Sequence, residues 1–419
     1  MSPNDARAIV EQQIAPEDLA THEFLVPHEE LRRRATALQA RLVAADVDLA
    51  IVQANADVGY VAGSILDGWV LVPASGEVRV LARRAAARVQ AETCWQVERM
   101  VAVKQLVAEL GAMGVDRGRI AIALDVVPAA DYLKLARALP DASFVDLTHD
   151  LRSVRAIKSE WELDNCRLAA QQVIEAMTTV AYQLVPGHSE LDAARLAEGC
   201  LRGAGHQGIM RMRRFGGEMF YGQVCAGANA ALPASLDAAL GGSGQYPPAG
   251  KGASRRELVA GDLLVLDLMG CHNGYLSDCT RVIAVGGIDA LADDLREAQD
   301  WCVGVLEQVA AAARPGVAPS ALYALVLELA ADAGHAERFM GVAPDQARFV
   351  GHGIGLEVDE YPFLARGFDE PLKPGMVFAL EPKLVFPGRA AVGIEDAFIV
   401  TETGVEALPA LPRQILVPA

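Results

Sequence analysis

A chain of 419 residues exceeds what one hydrophobic core organises efficiently, so two domains are expected, and a 52% hydrophobic content supplies both cores. A formal net charge of -17 argues against nucleic acid or an anionic membrane surface as partner, since either needs clustered Lys and Arg, and leaves small molecules or short peptides. Seven cysteines without a C-x-x-C pair read as reduced thiols of a cytoplasmic protein. The first residues lack the apolar core of a signal peptide, and no apolar run reaches the roughly 18 residues of a membrane span.

In chain order, residues 1 to 27 read as an irregular or partly helical lead-in. HEELRRRATALQARLVAADV then repeats apolar positions at helical spacing, and VDLAIVQ reads as a strand. GWVLVPASGEVRVLA has the composition of a hairpin turning between Pro73 and Gly76. VERMVAVKQLVAELGAMGV is expected as helix, RIAIALDVV as a buried strand, AADYLKLARALP as helix and SFVDL as strand. This alternation predicts a compact α/β domain over residues 1–155, with a second domain over 156–419.

The second domain opens with an amphipathic helix from Ser159, and Ser189 with Asp192 forms a capping box for another helix. The stretch from Phe215 to Gly252 is rich in Gly, Ala and Pro and reads as loop with a short strand. ELVAGDLLVLDLMG and GYLSDCTRVIAV are antiparallel strands across His272-Asn273-Gly274. Helices are expected over residues 289 to 313 and 319 to 333. GMVFALEPKLV and AVGIEDAFIVTETG read as two closing strands around the turn PGRA.

Four acids interrupt these apolar strands: Asp267 in VLDLMG, Asp278 on the returning strand, Glu381 in VFALEPKLV and Glu395 in AVGIEDAFIV. A carboxylate there costs several kcal/mol unless it is paired, hydrogen-bonded or bound to metal. Each alone is commonly a solvent-facing end of a strand. Together they need counter-charges that the flanking sequence hardly supplies, Arg281 and Lys383 being the nearest. With His352 in GHGIGLEVDEYP they form a hard-ligand set suited to two divalent ions, which would also acidify a water held between them.

The pattern resembles the pita-bread metallopeptidase family, peptidase M24, which includes aminopeptidase P, prolidase and creatinase relatives. The resemblance rests on Asp267 and Asp278 in DLMGCHNGYLSDCTR, His352 in Gly-His-Gly-x-Gly, Glu381 in a Glu-Pro strand and Glu395 in GIEDAFIV. It extends from about Arg155 to the C-terminus, and more weakly into the first domain through DLAIVQANADVGYVAGS. It implies an α+β pita-bread catalytic domain behind a smaller α/β creatinase-like domain. It also implies a homodimer, with Tyr60 and Trp69 as residues that could approach a partner's site. The five residues would then hold two divalent ions of the Mn, Co, Zn, Fe or Mg type, with Glu381 as proton shuttle for hydrolysis of an Xaa-Pro dipeptide or similar small amide.

Two positions depart from the family. A second histidine is expected seven residues after the metal histidine, where this chain has Asp359, and another after an Asn-x-x-x-Pro segment, where GANAALPAS places Ala234. Asp359 is therefore a candidate acid, base or anchor for a cationic group, or else a residue that caps its loop. Arg211, Arg213 and Arg214 with Tyr221, in MRMRRFGGEMFYG, are candidates for binding a substrate carboxylate, against a plain surface role. The alternatives are a lyase or specialised hydrolase of a small cationic metabolite, such as a sulfonium or compatible-solute compound, and a non-catalytic binding module.

Overall fold

A computed structural model of the chain describes residues 14–19, 21–408 and 411–418. They fall into two compact units, Met1–Arg155 and Ala156–Ala419.

The first unit runs α1 (His28–Ala44), β1 (Leu49–Val52), α2 (Asn55–Ala62), β2 (Gly68–Pro73), β3 (Arg79–Ala82), α3 (Ala86–Glu92), β4 (Gln96–Arg99), α4 (Val103–Ala112), β5 (Arg119–Ile122), α5 (Ala129–Ala138), β6 (Ser143–Asp146) and α6 (Thr148–Ala156). Its sheet has the order β4-β3-β2-β1-β5-β6. Central β1 is buried along its whole length, as its unbroken apolar run LAIV requires, and pairs antiparallel with β2 and parallel with β5. Two expectations change here. The start of VERMVAVKQLVAELGAMGV belongs to β4, which pairs parallel with β3, and the helix begins only at Val103. Helical spacing of apolar residues carried the helix too far back across a short edge strand. Tyr60 and Trp69 are interior residues, 1% and 3% exposed, each under a guanidinium of its own unit, Arg34 and Arg83 respectively. Of the lead-in, Pro16–Asp18 and His22–Phe24 are single 3-10 turns, and residues 1–13 lie outside the described residues.

The second unit begins with α7 (Glu160–Gln183) and α8 (Glu190–Gly203). The capping box expected at Ser189 is present, its Oγ accepting from the Asp192 amide at 3.2 Å, and α7 starts on a second one, where Ser159 Oγ accepts from the Glu162 amide at 3.2 Å. There follow β7 (Gly222–Ala226), α9 (Gly227–Ala230), β8 (Leu263–His272), β9 (Tyr275–Ala284), α10 (Asp293–Ala312), α11 (Pro319–Asp332), β10 (Phe349–Gly353), β11 (Glu360–Ala365), β12 (Val377–Leu380), β13 (Lys383–Phe386), β14 (Ala390–Gly393), β15 (Glu395–Val400) and β16 (Val405–Leu408). The main sheet has the order β11-β10-β12-β15-β9-β8-β7 with β16 on β15, while β13 and β14 form a separate two-stranded hairpin.

Strand β8 shows how the sheet separates its faces. Leu264, Leu266 and Leu268 pack with the apolar side of α7 and α8, including Val173, Met177 and Ala197. Leu263 and Val265 point the other way, into a core shared with α10, α11 and the β13–β14 hairpin, and Asp267 follows them on that face. Each fully buried leucine in these layers contributes about 1.5–3 kcal/mol, so the face on which Asp267 stands is strongly specified.

The closing segments are the main correction in this unit. GMVFALEPKLV is not one strand: Pro382 has no amide hydrogen to continue a ladder, and the chain leaves the main sheet after Leu380 and starts β13 at Lys383. AVGIEDAFIV divides likewise into β14 and β15. Both breaks fall beside a carboxylate, Glu381 in the first and Glu395 in the second.

Candidate metal centre

The β8–β9 hairpin turns at Asn273 and Gly274, with φ of 48° and 84°, and pairs His272 with Tyr275. This two-residue turn sets the register that matters: Asp267 lies opposite Thr280 and Asp278 opposite Met269, so the two aspartates are diagonal neighbours on one face. On the other side of β9, Thr280 is in register with Glu395 and donates its hydroxyl to Glu395 Oε2 at 2.8 Å. Gln223, Asp267, Thr280 and Glu395 therefore form one row across β7, β8, β9 and β15.

His352 comes from β10, between β11 and β12. The glycines on either side of it are there for close packing of strands. A Cβ on Gly351 would strike the Ala379 carbonyl oxygen, and one on Gly353 the Tyr361 carbonyl. His352 Nδ1 lies 3.2 Å from the Gly353 carbonyl oxygen. That oxygen can only accept, so Nδ1 is the donor of this contact, and Nε2 lies 3.6 Å from Glu381 Oε1.

Asp267, Asp278, His352, Glu381 and Glu395 all line one cavity of about 490 Å³. Within it, Asp278, His352 and Glu395 each present a ligand atom within 4.8 Å of the others. Asp278 Oδ1 and Glu395 Oε1 are buried without a hydrogen-bond partner. Burial, followed by the charges of Glu395 and Asp267, pushes the Asp278 carboxyl well above the usual carboxylate range. Two unpartnered carboxylate oxygens beside an imidazole nitrogen are a donor set that a divalent cation satisfies and that nothing in the chain does.

Asp267 and Glu381 are placed differently, because Lys383 reaches them. Its ammonium contacts Glu381 Oε2, lies 3.3 Å from Glu395 Oε2 and 3.4 Å from Asp267 Oδ2, and is shut off from solvent. Burial works against the charge on Lys383, but Asp267, Glu381 and Glu395 overcome it and raise its pKa. Burial also raises the Asp267 carboxyl, with Lys383 opposing and Glu395 adding to the shift. Arg281, the other expected counter-charge, points to the opposite face and binds Asp396 at 2.7 Å.

The remaining candidates are spread around this centre. Asp359 lines the cavity, and its two oxygens accept from the backbone amides of Arg213 at 2.7 Å and Arg214 at 3.1 Å. Of the arginine cluster, only Arg214 lines the cavity; Arg213 is buried against Glu357 at 3.4 Å, and the Arg211 carbonyl accepts from the Val358 amide. Tyr221 packs against His206, the rings tilted by 41° with centroids 4.6 Å apart, and is not part of the cavity lining. Ala234 lies in the lining. Sequence reasoning missed Arg348 and Arg366, which with Arg214 bring three guanidinium groups to the cavity; none forms an ion pair with a described residue. No local pattern marks them, since each sits beside a turn where arginine is ordinary. Phe349, Phe363 and Phe368 add apolar surface to the same lining.

A deep acid-and-imidazole cluster under a curved antiparallel sheet is the arrangement of a metallohydrolase. The sequence pattern of Metallopeptidase family M24 matches residues 164–402, and that of the Creatinase/Prolidase N-terminal domain matches residues 34–157; the chain belongs to metallopeptidase family M24. It is 30% identical over 405 residues to a protein of Mycobacterium tuberculosis (strain ATCC 25618 / H37Rv) named "Probable dipeptidase PepE", covering 93% of this chain and 97% of that protein. The crystal structure of dipeptidase PepE from Mycobacterium ulcerans superposes with a TM-score of 0.79 at 27% identity, over 94% of this chain and 100% of that one. That of X-Pro aminopeptidase from Thermotoga maritima MSB8 gives 0.75 at 23% identity, over 91% and 99%, a likeness of fold. Family and site together define a metal-dependent hydrolase.

Proposed function

We propose that the chain hydrolyses dipeptides, or amides of similar size, that carry a free carboxylate, using divalent metal held by Asp278, His352 and Glu395. The observation that carries this reading is the make-up of one cavity, which is lined by the acids and the imidazole together with the guanidinium-bearing side chains of Arg214, Arg348 and Arg366, none of them in an ion pair with a described residue. A bound divalent ion would supply a Lewis acid for the amide carbonyl and lower the pKa of a water. The chain's own groups do the rest. Guanidinium groups are the natural forks for a carboxylate, and they set the scissile amide at the acidic end. Glu381, whose Oε1 faces His352, is placed to take a proton from water and return it to the leaving amine. Asp359, with both oxygens on backbone amides, acts as the anchor of the 213–214 loop that carries Arg214, in preference to a proton carrier.

The names of the mycobacterial relatives support a dipeptide, and the guanidinium groups disfavour the cationic metabolite. We extend the reading to a manganese enzyme, a homodimer and a cytoplasmic location. The first two rest on the family resemblance and the third on the seven cysteines, all of them free thiols. No helix among the described residues is long and apolar enough to cross a membrane.

The test is product analysis with manganese-loaded protein offered Xaa-Pro and other dipeptides, the same dipeptides as C-terminal amides, and small betaine and sulfonium compounds. Free dipeptides should release two amino acids at least about 10-fold faster than their amides. Equal rates would remove carboxylate recognition. An alkene product with no new amine would replace hydrolysis by elimination.

A further inference from the structure

Lys383 opens the β13 strand with its side chain 1% exposed and its ammonium against three carboxylates, those of Glu381, Glu395 and Asp267. Two other features show that this placement is built into the fold. Directly across the hairpin is Gly393, where any Cβ would run into the Lys383 side chain, so the strand pair is hollowed to admit the lysine stem. The carboxylate oxygens are also sorted. Asp267 Oδ2, Glu381 Oε2 and Glu395 Oε2 face the ammonium, whereas Asp278 Oδ1 and Glu395 Oε1 have no partner. An ammonium has three donors and here has three acceptors.

We propose that the centre takes a single divalent ion, at Asp278, His352 and Glu395, and that the Lys383 ammonium stands where a second ion would be. The residues of the three-membered group fit an ion; the Asp267–Glu381 side does not, because one oxygen of each carboxylate already faces a fixed cation. Lys383 has no other place to put its charge, since its strand neighbours Leu384, Val392 and Ile394 are core residues. A second ion would have to share Asp267, Glu381 and Glu395 with an ammonium that already contacts an oxygen of each, and the two cations would repel at close range. Lys383 thus makes the chemistry of this site that of one Lewis acid and one hydrogen-bond donor.

This inference rests on the metal-dependent reading, and metal counting separates the two. Apo protein is loaded with excess Mn(II), desalted, and examined by elemental analysis and electron paramagnetic resonance, alongside Lys383→Met. The wild type should hold about one ion per chain with the spectrum of isolated Mn(II). The variant should rise to about two, with exchange coupling from ions about 3.5–4 Å apart. A wild type that already holds two coupled ions overturns the proposal, and this needs no variant to fold. A folded variant that stays at one ion also overturns it, because Lys383 is then not what excludes the second. A wild type that binds none removes the metal-dependent reading and this inference with it.

Discussion

His206 is fully buried at the end of α8, and its Nδ1 accepts the Gly208 amide at 2.8 Å, which fixes the neutral ring with its proton on Nε2. Burial, aided by the charge of Arg202, lowers its pKa from 6.5 to about 4. Between these values the unfolded chain takes up a proton that the folded one refuses. The stability His206 contributes is therefore complete above pH 6.5 and is lost as pH falls towards 4. Urea unfolding at pH 7 and pH 5 should show a larger drop in midpoint for wild type than for His206→Asn, whose amide oxygen can still accept from Gly208. Equal drops would mean that His206 is charged in the fold. Asp267 and Asp278 differ from this case, since burial favours the proton on each carboxyl, and binding a metal through a carboxylate displaces such a proton.

Glu190, the first residue of α8, is fully buried and accepts four hydrogen bonds: from the Ala226 and Ser254 amides, the Asn229 side-chain amide and the Ser254 hydroxyl, all at 2.7–2.8 Å. It ties β7 and α9 to the loop before β8, and so holds up one edge of the cavity. Glu190→Ala should lower stability by at least about 3 kcal/mol by leaving buried donors unmet, and Glu190→Gln by less, as measured by urea unfolding. A loss below about 1 kcal/mol in the alanine variant would show that water replaces these bonds. The sequence revealed this helix through its Ser189 and Asp192 box but not the role of Glu190, because its partners lie 36 to 64 residues away. Strand β10 was obscured for a related reason. Local composition reads Gly351 and Gly353 as loop, whereas the need for glycine arises from strands that arrive later in the chain. The β8–β9 hairpin was legible because alternation and an Asn-Gly turn are both local signals.

At the scale of the whole molecule, four carboxylates lining one cavity of the second unit predict that its stability depends on cations. Chelation should lower its thermal midpoint and added Mn(II) should restore it, because the ion binds the folded chain and not the unfolded one. A midpoint indifferent to chelator, measured by calorimetry, would mean that Lys383 alone suffices to hold the acids together. The four acids were legible as a group because an acid in an apolar run is anomalous and four such anomalies call for one cause, and His352 joined them through its Gly-His-Gly-x-Gly pattern. Lys383 was legible only as a nearby counter-charge. Its turn into the cluster follows from the break at Pro382 and the clearance at Gly393, neither of which a strand pattern expresses. Arg348 and Arg366 were silent, since a surface arginine looks the same whether it faces open water or a cavity.

The row formed by Gln223, Asp267, Thr280 and Glu395 has one more consequence. Spacing between these groups is a matter of strand alignment, and the alignment of β8 and β9 is decided at a turn of two residues. One residue inserted beside Asn273 would leave every ligand in the sequence yet shift β9 by a single step. Cys279 and Arg281 would then be presented to the cavity, and Asp278 and Thr280 to the helices behind the sheet. Asn273 and Gly274 thus act as the gauge of the centre: they touch none of its chemistry and determine whether its parts meet.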